Sequence, residues 1–231
     1  MKRSEINLEI QKAEDFFREQ HFFLPPFASW SLSQWQENRT YGQEILSCFL
    51  GWDITDFGRG NFPREGLLLF TLRNGHYGGR FYCKPYAEKI MIVRESQLTL
   101  LHSHRNKTED IINRAGGRLC FQLFASTPEL ELDKKKPVEF SQDGILCGVP
   151  GGSSVVLEPG ESLTLTPGIF HSFHAEKGDV LVGEVSSVND DDHDNVFHEA
   201  QLRFPEIEED EAPYRLLVKD YKTFVTGGNS Q

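Results

Sequence analysis

His102 and His104 are two residues apart, so on a β-strand their imidazoles leave the same face and can bind one ion together. Glu109 follows five residues after His104, and His171 comes far downstream, just past the turn signal Pro167-Gly168. Three neutral imidazole nitrogens and one carboxylate suit Mn, Fe, Co, Ni or Zn, and lack the thiolates that softer metals select. A His-x-His pair alone is common on solvent-facing strands, so it is the combination that points to a metal. Asp110 is a competent neighbour of Glu109. His174, three residues beyond His171, falls on the opposite strand face, and His21, His76, His193 and His198 have no partner at ligand spacing.

Strands are needed to hold such a set, and the chain supplies them. Between residues 65 and 186 it runs in short segments rich in Leu, Ile, Val, Phe and Thr, separated by Gly, Pro, Asn and Asp. These include 66–72, 89–93, 98–102, 119–124, 152–157, 162–165 and 179–185. Close spacing without helical patterns between them predicts a sandwich or jelly-roll barrel. Ahead of it, Ile6, Ile10, Ala13 and Phe17 recur at helical spacing and predict an amphipathic helix over about 4–20. Capping chemistry at Ser31 or Ser33 predicts a second helix reaching Glu44. The reading is a single domain over 1–231: helical decoration at 1–45, barrel core at 65–186, acidic loops and a last strand at 214–218 within 187–225, and a disordered tail at 226–231.

Composition narrows the partners. With 24 Lys and Arg against 35 Asp and Glu, the net charge of −11 opposes nucleic-acid binding. No segment has the length and apolarity of a membrane span, and the charged start lacks the apolar core of a secretion signal. Cys48, Cys83, Cys120 and Cys147 are scattered without paired spacing, so a reduced, cytoplasmic protein is expected.

The stretch His102-x-His104-x4-Glu109-x6-Gly116 resembles the first motif of the cupin superfamily, and Gly160, Pro167, Gly168 and His171 resemble its second, with Pro and Gly adjacent here. The motif spacing prefers Glu109 to Asp110. The resemblance implies a mainly β, cupin-type jelly-roll barrel with N-terminal helices. The longer pattern adds Lys107 and Asp110, Tyr86-Ala-Glu-Lys89, Val188-Asn-Asp, and Phe204-Pro-Glu206-Ile-Glu208-Glu-Asp210. From Trp52 to Tyr221 it resembles the D-lyxose isomerase family of sugar ketol-isomerases. That likeness implies Mn²⁺ as cofactor, with other divalent transition metals open, a homodimer, and D-lyxose to D-xylulose interconversion, with D-mannose and D-fructose as a second pair. It points to Lys107 and to a glutamate of the C-terminal acidic segment as catalytic groups, Glu206 first and Glu208 second.

Lys89, Arg73 and Phe197 are of suitable type to bind a pentose, as are Trp52, Thr71 and Asn195. A cupin barrel hosts unrelated chemistries. An iron-dependent oxygenase, a phosphosugar isomerase using Arg73, Arg80, Lys84 and Lys89, and a non-catalytic sugar-binding cupin therefore stand as alternatives.

Overall fold

Strand-forming residues dominate the middle of the chain, and in the computed structural model they pair into twelve strands among the described residues. The structure describes residues 1–76, 84–191, 193–199, 201 and 205–227. The strands are β1 (Gly51–Thr55), β2 (Leu67–Arg73), β3 (Tyr86–Val93), β4 (Thr99–His104), β5 (Glu109–Ser126) and β6 (Leu132–Asp133). They continue as β7 (Val138–Gln142), β8 (Ile145–Val149), β9 (Ser153–Leu157), β10 (Ser162–Leu165), β11 (Phe170–Ser187) and β12 (Asn195–Phe197). Pairing of these strands is antiparallel, in the order β1-β2-β3-β11-β5-β10-β7-β8, with β4 beside β11, β12 beside β4, and β9 beside β5. This is the cupin-type jelly-roll barrel.

The two 18-residue strands β5 and β11 are its spine. They stay paired from Ser186–Glu109 to Phe170–Phe124, interrupted by register shifts between Glu176 and Val180 and between Leu181 and Val182. Such bulges bend a strand, which lets one strand serve both walls of a barrel. Gly116 sits opposite the first shift at φ +98°, where a Cβ would lie 2.1 Å from the Asp179 carbonyl oxygen, so only glycine fits.

Alternation along the strands builds two cores. Leu69, Met91, Phe121, Leu163, Phe173 and Val182 fill the barrel. On the other face Leu68, Phe70, Ile90 and Ile92 pack against helix α1 (Arg3–Glu19), through the predicted Ile6, Ile10, Ala13 and Phe17. The second predicted helix is divided into α2 (Leu32–Asn38) and α3 (Gln43–Ser47). Ser31 and Gln34 form the expected capping box on α2, whereas the β-branched, aromatic and glycine residues at 40–42 favour a break.

Two expectations are corrected. The barrel begins at β1, before residue 65, and all five β1 residues are buried, which removes the alternation that marks a strand. The hairpin β7–β8 falls inside the strand-rich span, beyond the runs named above. Residues 214–218 form no strand: Leu217 makes one bridge to Trp52, followed by a 3₁₀ turn (Val218–Asp220) and the short helix α4 (Tyr221–Phe224). Of the expected tail, residues 228–231 lie outside the described residues. Among the described residues no helix is long and apolar enough to cross a membrane.

Candidate metal centre and active site

β4 carries His102 and His104 on one face, the loop 105–108 turns the chain, and β5 opens with Glu109. His171, at the start of β11, lies directly across from His102. The Pro167-Gly168 turn brings it there: the Gly168 N–H donates to the His104 carbonyl at 3.0 Å. Gly168 has φ +84°, and a Cβ on it would come within 2.7 Å of the Ser126 hydroxyl, so the adjacent Pro-Gly serves the turn.

The three rings converge, with His102 and His171 centroids 4.2 Å apart and His104 5.2 and 5.6 Å from them. His102 Nδ1–H donates to the Leu100 carbonyl at 2.8 Å, and His171 Nδ1–H to that of Ile169 at 3.2 Å. A carbonyl can only accept, so each proton sits on Nδ1 and the Nε2 lone pair faces inward, as a ligand requires. Burial, then the neighbouring His171 and His104, hold His102 well below the usual imidazole pKa, and so neutral. His104 is pushed down by burial and Lys107, but Glu109 and Asp194 outweigh both and leave it raised in the metal-free chain.

Glu109 Oε1 is 3.2 Å from His104 Nε2 and 3.0 Å from His171 Nε2. Both His104 nitrogens and Glu109 Oε1 are nevertheless buried without a hydrogen-bond partner, because they are not aligned on each other. Buried polar atoms left this way are costly unless something else satisfies them. Two ligands of one ion, with bonds of about 2.1 Å meeting near right angles, stand about 3 Å apart. The His102, His104 and His171 donors all lie within 4.8 Å of one another. The four side chains therefore fit a divalent metal.

Beside them runs a buried charged wall. Lys107 Nζ contacts Glu109 Oε2 at 2.7 Å and Glu184 Oε1 at 2.9 Å, and Lys89 Nζ contacts Glu184 Oε1 at 3.2 Å and Asn189 Oδ1 at 2.5 Å. Burial by itself favours the neutral form of Lys107, Glu109 and Glu184. For Lys107, Glu109 and Glu184 outweigh it and raise the pKa, keeping the ammonium charged. For Glu184, Lys107 and Lys89 outweigh it and lower the pKa; for Glu109, Lys107 and His104 do so more strongly. Asp194 fixes the loop by accepting from the N–H groups of Asn106 at 2.7 Å and Lys107 at 3.2 Å.

The three histidines, Glu109, Lys107, Lys89 and Glu184 share one pocket with an apolar wall that includes Phe57, Leu69, Met91, Phe173 and Phe197, and with Asp191 and Asn195. Expected His102, His104, Glu109, His171, Lys107, Lys89 and Phe197 all meet there. Arg73 does not: it is exposed and ion-paired with Glu88. Trp52 is buried in the helix-side core, its indole N–H donating to the Ala28 carbonyl.

Glu206 and Glu208 are also elsewhere. The acidic run straps the start of α1: the Met1 amine donates to the Glu206 carbonyl, the Arg3 N–H to that of Glu208, and the Ser4 N–H to Asp210. A helix N-terminus has unpaired N–H groups and a positive dipole end, which attract such a segment. Phe204 and Arg80 lie outside the described residues. Sequence reasoning missed Glu184, whose signal was a lone carboxylate in the apolar run Val180–Val185, and Asp194.

The comparisons agree with this geometry. A family model described as D-lyxose isomerase matches residues 1–221. Relatives named D-lyxose/D-mannose isomerase, from Serratia proteamaculans and Escherichia coli O157:H7, are 48% and 50% identical over 97% of this chain and 100% of theirs. An L-ribose isomerase structure from Cellulomonas parahominis superposes with a TM-score of 0.55 at 16% identity, over 86% of this chain and 93% of that one. At that identity the likeness shows the fold.

Proposed function

We propose, from the premise that the chain belongs to the D-lyxose isomerase family and is an aldose–ketose isomerase, that it interconverts D-lyxose with D-xylulose and D-mannose with D-fructose. The observation that carries the mechanism is Glu184, ionised between Lys107 and Lys89 in the pocket that holds the four candidate ligands.

Isomerisation moves a proton between C2 and C1 while carbonyl and hydroxyl exchange places, so negative charge grows on both oxygens of an enediolate. His102, His104, Glu109 and His171 would hold a divalent ion, which would supply Lewis-acid polarisation of those oxygens. The nitrogen and oxygen donors, without thiolate, support Mn²⁺. Glu184, ionised at neutral pH, takes the proton from one carbon and returns it to the other. Lys107 stays cationic, holds Glu184 and Glu109 in place, and stabilises the developing oxyanion. Phe57, Phe197 and Met91 shield the intermediate from water, and Lys89, Asp191 and Asn195 offer partners for sugar hydroxyls.

An unphosphorylated sugar fits better than a phosphosugar, because the pocket lysines are already matched by Glu184, Glu109 and Asn189, and Arg73 lies outside. A cytoplasmic homodimer completes the proposal. It is supported by thiols at Cys48, Cys120 and Cys147 that form no disulfide, and by exposed Ile145 and Leu146 on the edge strand β8.

Chelated protein should lose D-lyxose turnover and regain it on addition of Mn²⁺. A Mn²⁺-loaded chain that leaves D-lyxose and D-mannose unchanged, yet consumes oxygen with Fe²⁺, would sink the reading in favour of an oxygenase.

A further inference from the structure

We propose that Cys120, His174 and Glu176 form a second divalent-metal site, of the zinc class, on the outer face of the barrel. Cys120 lies between Leu119 and Phe121 on β5, and His174 between Phe173 and Ala175 on β11. Those four neighbours point into the barrel core, so alternation turns Cys120 and His174 outward. The two residues are direct cross-strand partners, and Glu176, two residues on from His174, shares its face.

One donor atom from each of the three lies within 4.8 Å of the others, and His174 Nε2 is 3.3 Å from Glu176 Oε1. Tetrahedral zinc with bonds of about 2.0–2.3 Å holds its ligands about 3.3–3.8 Å apart. Small rotations of the half-exposed His174 and exposed Glu176 span the difference. Arg118, which pairs with Glu176 along the strands, is occupied by Glu158 at 2.6 Å, so it leaves the carboxylate to its two neighbours. The open side supplies a water as fourth ligand, the arrangement of three protein donors plus solvent that zinc accepts.

The two sites differ in softness. The inner one offers three imidazoles and a carboxylate; the outer one adds a thiolate, which zinc and cobalt accept and manganese disfavours. Mn²⁺ should therefore load the inner site alone, while Zn²⁺ and Co²⁺ load both. An ion outside would tie β5 to β11, the strands that carry Glu109 and His171, without touching the pocket.

Titration of the full chain with Co²⁺ tests this, because only a thiolate ligand gives the near-ultraviolet sulfur-to-cobalt band. The expected result is a band that is complete once both sites are filled, at two ions per chain, that is complete at one ion per chain in His104→Ala, and that vanishes in Cys120→Ser. His174→Ala and Glu176→Gln should each weaken it by at least about tenfold while leaving Mn²⁺-dependent turnover unchanged. These two substitutions at accessible positions keep the test open if Cys120→Ser fails to fold. Absence of a Cys120-dependent band overturns the site, as does a band indifferent to both His174→Ala and Glu176→Gln.

Discussion

Two sets of carboxylates do opposite work in this molecule. Glu109, at the start of β5, and Glu184, alone in an apolar run of β11, are buried and face the lysines and histidines of one pocket. The run from Glu206 to Glu211 is largely exposed and binds the start of α1. A lone charge inside a strand has to be paired to survive burial, and pairing it with two lysines keeps it ionised away from water. A charge run on the surface meets no such demand, and here it satisfies a helix end.

The sharpest way to break this contrast is to neutralise one carboxylate from each set. Glu184→Gln, which keeps shape and removes the base, should lower kcat by about 10²–10⁴-fold, the range lost with a general base. Glu206→Gln should leave kcat within about twofold, since its contact with Met1 is through the backbone carbonyl. Equal losses in the two variants would dissolve the distinction.

A second test works on stability. Arg3 is fully buried, at 2.9 Å from Asp220 and 2.7 Å from the more exposed Glu209. Arg3→Ala leaves the buried Asp220 uncompensated, a change that typically costs about 3–5 kcal/mol. Urea unfolding should show that loss, while kcat per folded molecule stays near wild type. A selective loss of kcat would instead tie the strap to the pocket.

How much of this was legible follows from sequence distance. His102, His104 and Glu109 were readable because strand, turn and strand are contiguous, and strand alternation fixes which side chains share a face. Helix α1 was readable from its period. Glu184 was not, because its partner Lys107 is 77 residues away and pairing of that range leaves no local trace. Strand β1 was hidden by burial on both faces. The acidic run drew attention by its density of charge, which says nothing about where a loop docks.

The pH profile sharpens the comparison more gently. Glu184 has a folded pKa below the ordinary carboxylate value, so it is ionised, and its stabilising contribution is complete, at any pH above that value; both are lost only as pH falls through the depressed one. Lys107 has a raised pKa, so its charge persists as pH rises past the usual lysine range. With metal saturating, kcat should therefore be flat between about pH 6 and about pH 9. A midpoint inside that window would show that one of the two is not held as the ion pair implies.

The smallest effect is expected at Arg73. Its exposed pair with Glu88 lies on the same strands, β2 and β3, that carry pocket residues Leu69 and Lys89, yet the register shift between Thr71 and Arg73, together with solvent, separates it from the site. Exposed pairs contribute about 0–1 kcal/mol, because water screens them and two long side chains must be held in place. Arg73→Ala should shift stability by no more than that and change KM for D-lyxose by less than about twofold. Lys89→Ala, on the inner face beside Glu184, should raise KM and lower kcat together. A large KM change at Arg73 would mean that the pocket extends to the strand ends, and that charge outside the barrel takes part in binding.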